Sequence, residues 1–256
     1  MALSKSQGWY LCNPQNEGTH AFIYLAAQRD TDSAQEYLYA LKDASFWRAR
    51  REIIRCSDNV LNILENQKGI LRTNNASEYD YLFKVSSPLL ESLFARTIIR
   101  LAYGEITNPY SNENKKEQHM DSSAIAFKID LRFIYDHEGG PSYDVGAMEA
   151  AKNNDDDKAS HDLGKLIREG KDILDQMFDV IGQVETHNLS AWVLRIYGLH
   201  GDLSSIHLTA DGLYVHLPRA TFNFPTGIST MQDFEKVLVY LLFFRIKVIA
   251  NARLLN

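Results

Sequence analysis

The chain has 256 residues and 29.2 kDa, enough for one large domain with a sizeable core or for two small ones. Its formal net charge of −6 excludes a generic polyanion binder, because affinity for a phosphate backbone comes mostly from clustered Lys and Arg; nucleic acid stays a candidate partner only through a local basic patch. Cys12 and Cys56 are too far apart to read as a disulfide scaffold or a zinc site and are expected to be structural thiols.

The opening MALSKSQGWYLCN lacks the apolar run of a signal peptide, so an intracellular location is expected, with nucleus and cytoplasm equally open. Residues 8–12 and 21–27 predict short strands around a turn at Pro14 to Gly18. Helices are expected over 32–42 and 44–67, the second with Ile53, Ile54, Val60, Leu61 and Leu64 at helical spacing and Gly69 as its stop. Ser87-Pro88 reads as an N-cap and first helical position, opening a helix that runs over 88–103 to Gly104. The polar, turn-rich stretch 105–122 predicts a surface loop.

The clearest signal follows. Ile125, Phe127, Ile129, Leu131, Phe133 and Tyr135 alternate with the residues between them, a period of two that predicts a long strand. HEGGP is a turn, YDVGAMEAA a returning strand, and KNNDDDK a polar loop. An amphipathic helix is expected over 161–185. Strands are expected over 190–197, 205–209 and 213–217, the last two joined at Asp211-Gly212, with 220–224 extending the sheet. A last helix starts at Ser229 or Thr230, with Gln232 and Asp233 as capping-box partners. Its apolar run, Val237 to Ala250, is broken by Arg245 and Lys247 and is shorter than the ~20 residues a membrane span needs, so no membrane is expected as a partner. Apolar on most of its circumference, this helix either runs through the core or packs one side on a partner, as in a homodimer through the C-terminal helix. The order predicts an α+β protein: a central mixed β-sheet with a β-hairpin meander, flanked by helices.

With the turn placed on Gly139-Gly140, Asp130 falls opposite Glu149 and Lys128 opposite Ala151. Directly opposed side chains share a face with Cβ atoms roughly 5 Å apart. Two carboxylates that close repel unless a positive group lies between them, and Mg²⁺ is one solution. The alternative is a pair of solvated charges with Lys128 and Arg132 as neighbours.

The blocks KIDLRFIYD, YDVGAMEAAK, SHDLGKLIREGKDILD and VLRIYGLHGDLSSIHLTADGLYV resemble a group of uncharacterised proteins that is abundant in mucoralean fungi and spread with mobile elements. The resemblance runs from about Asp121 to the C-terminus. In better-preserved members the second block reads as an acidic residue followed by E-x-K, which places the group beside the PD-(D/E)XK nuclease superfamily. The resemblance implies a restriction-endonuclease-like core over 87–256, with 1–86 a strand-hairpin and helical region packed on it. It also implies Mg²⁺-dependent hydrolysis of nucleic-acid phosphodiesters. Carried over, Asp130 or Asp144 is the first metal ligand and Glu149 the second, while the family lysine falls at Ala151. Lys152 is adjacent but in a strand points to the other face; Lys128 from the neighbouring strand or Lys165 from the following helix could substitute. That lysine orients the attacking water and stabilises charge developing on phosphate. Glu91 is a candidate accessory ligand. The lysine missing at Ala151 sets up the opposing expectation, an inactive nuclease-fold protein acting as a binding or dimeric assembly module.

Other patterns are weaker. The eight histidines are scattered; His207 and His216 could be cross-strand neighbours around Asp211-Gly212, but zinc needs two more ligands. Neither a phosphate-binding G-x-x-x-x-G-K-[ST] nor a G-x-S-x-G elbow is present. FWRARRE at 46–52 reads as an exposed basic helix face rather than a nucleic-acid contact.

Overall fold

The computed structural model describes residues 51–66, 70, 76–120, 123, 125–153, 156–182, 189–210 and 212–256. The strands expected at 8–12 and 21–27, the helix at 32–42, the residues before Arg51 of the next helix and its basic cluster, Gly69 and Cys12 lie outside the described residues.

In chain order the elements are α1 (Arg51–Asn66), α2 (Glu78–Tyr81), a π-helical turn (Leu82–Ser86), α3 (Ser87–Phe94), β1 (Ile99–Thr107), α4 (Pro109–His119), β2 (Lys128–Asp136), β3 (Ser142–Ala151), α5 (Asp156–Ile181), β4 (Ala191–Tyr197), β5 (His200–Ala210), β6 (Leu213–Asn223), a 3₁₀ turn (Ile228–Thr230) and α6 (Asp233–Leu254). The six strands form one mixed sheet in sequential order. Every neighbouring pair is antiparallel except β3 and β4. A parallel pair needs a crossover connection, and the 26 residues of α5 supply it. The expected α+β class, a mixed sheet flanked by helices, is what the chain adopts.

Several local expectations are corrected. The helix expected over 88–103 ends at Phe94, and Ile99 already belongs to β1. The β-branched Thr97-Ile98-Ile99 favours a strand, and Arg96, at φ 61, turns the chain out of the helix. Ser87 is not its N-cap: helical backbone runs unbroken from Glu78, and the cap is Ser77, in a capping box with Asp80. Pro88 lacks an N–H and crowds the preceding turn. The backbone widens into the π turn just before it, where Ser86 and Ser87 hydroxyls donate to the carbonyls of Tyr81 and Leu82. The loop expected over 105–122 contains the end of β1 and all of α4, which Asn108 caps by accepting from the Tyr110 N–H, with Pro109 at the first helical position. Gln232 makes no side-chain cap bond for α6.

The α6 side of the sheet is the apolar layer. Phe94 of α3, Phe133 of β2 and Phe244 of α6 pack ring against ring at centroid distances of 4.9, 5.0 and 6.1 Å. Phe234, Val237, Leu241, Phe244 and Val248 of α6 are buried, so the helix runs along the core. Cys56 is buried there too, its thiol pushed up to about 12 by burial, as befits a structural thiol. Among the described residues no helix is long and apolar enough to cross a membrane.

Candidate active site

Two irregularities set the site. In β2–β3, Leu131 pairs with Met148, Arg132 with Ala147 and Phe133 with Gly146, but Ile134 pairs with Asp144. Val145 is therefore an extra, bulged residue. The turn is also longer than two residues: Asp136 pairs with Ser142, and the His137 N–H bonds to the Pro141 carbonyl. The longer turn and the bulge each shift register by one and cancel. One step beyond Leu131–Met148, Asp130 therefore meets Glu149 as the sequence predicted. On its other side Asp130 faces a bulge in β1, between Tyr103 and Ile106, where Gly104 takes φ 106. Bulges of this kind re-aim side chains beside functional sites.

The row continues across the sheet. Glu149 is in register with Arg195 of β4, and Arg195 with Asp202 of β5. Asp130, Glu149, Arg195 and Asp202 thus form a charged line on the face that α5 covers. Gly170 brings α5 onto this face: a Cβ there would meet Ile206 Cδ1 at 2.5 Å and Val193 Cγ1 at 3.3 Å. Lys165, five residues earlier on the same helix, reaches the row. Its Nζ lies 3.7 Å from Glu149 Oε2 and 3.2 Å from Asp162 Oδ1.

Asp130 is 7% exposed and Glu149 3%. The Ala150 N–H donates to Asp130 Oδ2 at 2.8 Å and fixes that carboxylate. Burial, then the neighbouring Asp130 carboxylate, push Glu149 up to about 9. Burial also raises Asp130, against the Ala150 bond. The pair therefore keeps one proton between its members at neutral pH. Burial alone would lower Lys165, but the Glu149, Asp162 and Asp130 carboxylates outweigh it and hold the ammonium charged.

The expected residues divide accordingly. Asp130, Glu149 and Lys165 come together. Asp144 does not join them: the bulge puts it on the same face, where Arg132 claims it with two bonds, Nε to Oδ2 at 2.8 Å and Nη2 to Oδ1 at 2.6 Å. Lys128 turns outward, with its side chain 59% exposed and 3.5 Å from Glu105. Lys152 is exposed beyond the end of β3. Glu91 is exposed and its charge acts on Tyr103 rather than on Asp130. His207 and His216 are not partners, because the bulge between Leu208 and Ala210 pairs His216 with Ile206. Sequence reasoning missed Asp162, which holds Lys165, and Arg195 and Asp202, which need the β3–β4–β5 register to be seen. It also missed Glu78, whose charge acts on Asp130.

Among the described residues, no group of three or more His, Cys, Asp or Glu side chains is arranged to hold a metal ion. The donor set here is a carboxylate pair, and Mg²⁺ commonly takes one or two carboxylates and completes its octahedron with water. One buried oxygen of the pair, Glu149 Oε1, makes no hydrogen bond among the described residues. A buried carboxylate oxygen without a protein donor, in a pair that shares a proton, fits a divalent cation, which would replace that proton. In comparisons with known proteins, no family model, curated protein or solved structure matches this chain.

Proposed function

We propose that this chain is a metal-dependent hydrolase of nucleic-acid phosphodiesters of the PD-(D/E)XK type, with its lysine carried on the helix after the third strand. The observation that carries the reading is the convergence of Lys165 on Glu149 and Asp130, from three separate elements, where the expected lysine position is Ala151. The element order supports it: helix α3, the meander β1–β2–β3, the crossover α5, and β4 parallel to β3 match the restriction-endonuclease-like core that the resemblance implies.

In this reading Asp130 and Glu149 would hold a Mg²⁺ ion, which would supply charge neutralisation at the phosphate and polarise water. The Ala150 N–H keeps Asp130 oriented. Asp162 and Glu149 keep Lys165 protonated, so it acts through its charge and its hydrogen bonds rather than as a base. It points its N–H donors at the attacking water and at the oxygen on which negative charge develops. Cleavage adds water across one P–O bond and leaves a phosphate and a hydroxyl terminus.

A second reading, a non-catalytic binding module or homodimer on the same fold, draws on the low exposure of Asp130 and Glu149, which leaves Lys165 as the site's solvent-facing member at 22% side-chain exposure. Calorimetric titration with Mg²⁺ and Mn²⁺ and a plasmid-nicking assay separate the two. Wild type binds and nicks. Glu149→Gln loses both. Lys165→Ala still binds metal and nicks about 100-fold or more slowly. Nicking by Lys165→Ala at the wild-type rate sinks the proposed role of the lysine; a wild type that neither binds nor nicks leaves the binding module.

A further inference from the structure

The sheet face under α6 carries a second polar cluster, unrelated to the carboxylate pair. Trp192 of β4 is in register with Ser205 of β5. Opposite them, β6 is irregular: Leu203 pairs with Ala220 and Ser204 with Pro218, so Arg219 is a bulged residue. The bulge turns its guanidinium back over the sheet. Arg219 Nε donates to Ser205 Oγ at 2.6 Å and Nη2 to His207 Nε2 at 2.8 Å. Ser205 Oγ is itself 2.8 Å from His207 Nε2. Because arginine only donates, that imidazole nitrogen accepts, and His207 is neutral.

The arginines of this sheet otherwise follow one rule. Arg100, Arg132 and Arg195 each close on an aspartate, Asp136, Asp144 and Asp202. Arg219 closes on a hydroxyl and an imidazole, both neutral. A second cation joins it from α6: Lys247 Nζ lies 5.7 Å from the centre of the Trp192 ring, and the Arg219 guanidinium 5.8 Å from the same ring. Both charges act on His207 and hold it below its usual range, after burial. Among the described residues neither Arg219 nor Lys247 forms an ion pair. Two cations thus converge on one indole and one imidazole, around a serine that is 0% exposed, with no counter-charge in the cluster.

The geometry points to an anion site in which Arg219, held in place by the Ser205–His207 pair, and Lys247 receive a phosphate group beside Trp192. Phosphate suits it better than a carboxylate. Its tetrahedral oxygens can take the guanidinium N–H groups not used on Ser205 and His207 together with the ammonium, and its charge matches two cations.

The test is calorimetric titration at fixed ionic strength with two probes, inorganic phosphate and a thymidine dodecamer lacking terminal phosphates. The proteins are wild type, Arg219→Gln, Lys247→Gln and, as a control outside both clusters, Lys128→Ala, an exposed lysine beside Glu105. Wild type is expected to bind at least one probe, and each of the two α6-face variants about tenfold or more weakly. Lys128→Ala should bind the phosphate probe as wild type does. Binding of phosphate alone assigns the site to a free phosphate or phosphomonoester; binding of the dodecamer that falls with Arg219→Gln assigns it to a diester backbone. Because Lys247 and Arg219 lie on different elements, a folding defect in one variant leaves the other to decide. Failure of wild type to bind either probe, or unchanged affinity in both α6-face variants, overturns the proposal.

Discussion

The two sides of the sheet share the same strands and differ in what fills the gap to the covering helix. Beneath α6 the aromatic stack of Phe94, Phe133 and Phe244 is the stabilising layer. Beneath α5 the gap holds buried charge: Asp130, Glu149, Asp144, Arg132, Asp162 and Glu169 are all under 9% exposed. Apolar burial stabilises in proportion to area, whereas buried charge costs several kcal/mol per ion before pairing offsets it. A face kept charged at that cost gains little net stability from its charges, and it is the face that carries the carboxylate pair and Lys165.

The comparison can be broken by substitution, beginning with the apolar face. Phe133→Ala should cost about 3–5 kcal/mol in urea unfolding; a loss below about 1 kcal/mol would mean the ring stack is not the stabilising layer. Asp144→Ala should cost about 3 kcal/mol, because Arg132 is left charged and buried, while Arg132→Met with Asp144→Leu together should come close to neutral. If the single and double variants are equally stable, the charges on the α5 face are better solvated than their burial implies.

The third test is pH. Burial first, then the Asp144 and Asp172 carboxylates, push Glu169 up to about 8. A carboxyl raised in the folded state contributes stability that is complete below its ordinary value and lost as pH rises to the folded value. Wild-type stability should therefore fall between about pH 4.5 and 8. Glu169→Gln should remove part of that fall, on the order of 2 kcal/mol at pH 8. Thermal melts across that range decide it; parallel curves for the two proteins would refute the assignment.

The smallest effect is expected outside both layers. Arg100 and Asp136 make the same fork as Arg132 and Asp144, with bonds of 2.6 and 2.8 Å, but with side chains 52% and 47% exposed. Asp136→Asn should cost less than about 1 kcal/mol, and less still at high salt. Matching geometry with unequal cost would isolate burial as the variable.

The sequence carried the meander well, because alternation over β2 is a period-two signal that survives any context. It also carried the pairing of Asp130 with Glu149, though through a turn and a bulge that happen to cancel. Lys165 was visible as a substitute lysine, but not as the preferred one over Lys128 and Lys152, since its approach depends on Gly170 lying against Ile206. The boundary near Arg96 was obscured because the apolar residues between Leu89 and Leu101 continue on both sides of it, Leu93 and Phe94 before, Ile98 and Ile99 after, and short apolar runs read equally as helix or strand. Arg195 and Asp202 had no local signal at all, because the parallel pairing of β3 with β4 is created across α5. In α4, the N-cap at Asn108 with Pro109 after it was a signal that could have been read.

The bulge at Val145 has a consequence for how this hairpin tolerates insertions and deletions over evolutionary time. Strand β3 carries one residue more than its partner requires between Asp144 and Glu149. Loss of any single residue from Val145 to Met148 can be absorbed by straightening the strand, with Asp144 still opposite Ile134 and Glu149 still opposite Asp130. The slack lies between the turn and the carboxylate pair, so the genetic drift of a hairpin can be taken up there without reaching the site.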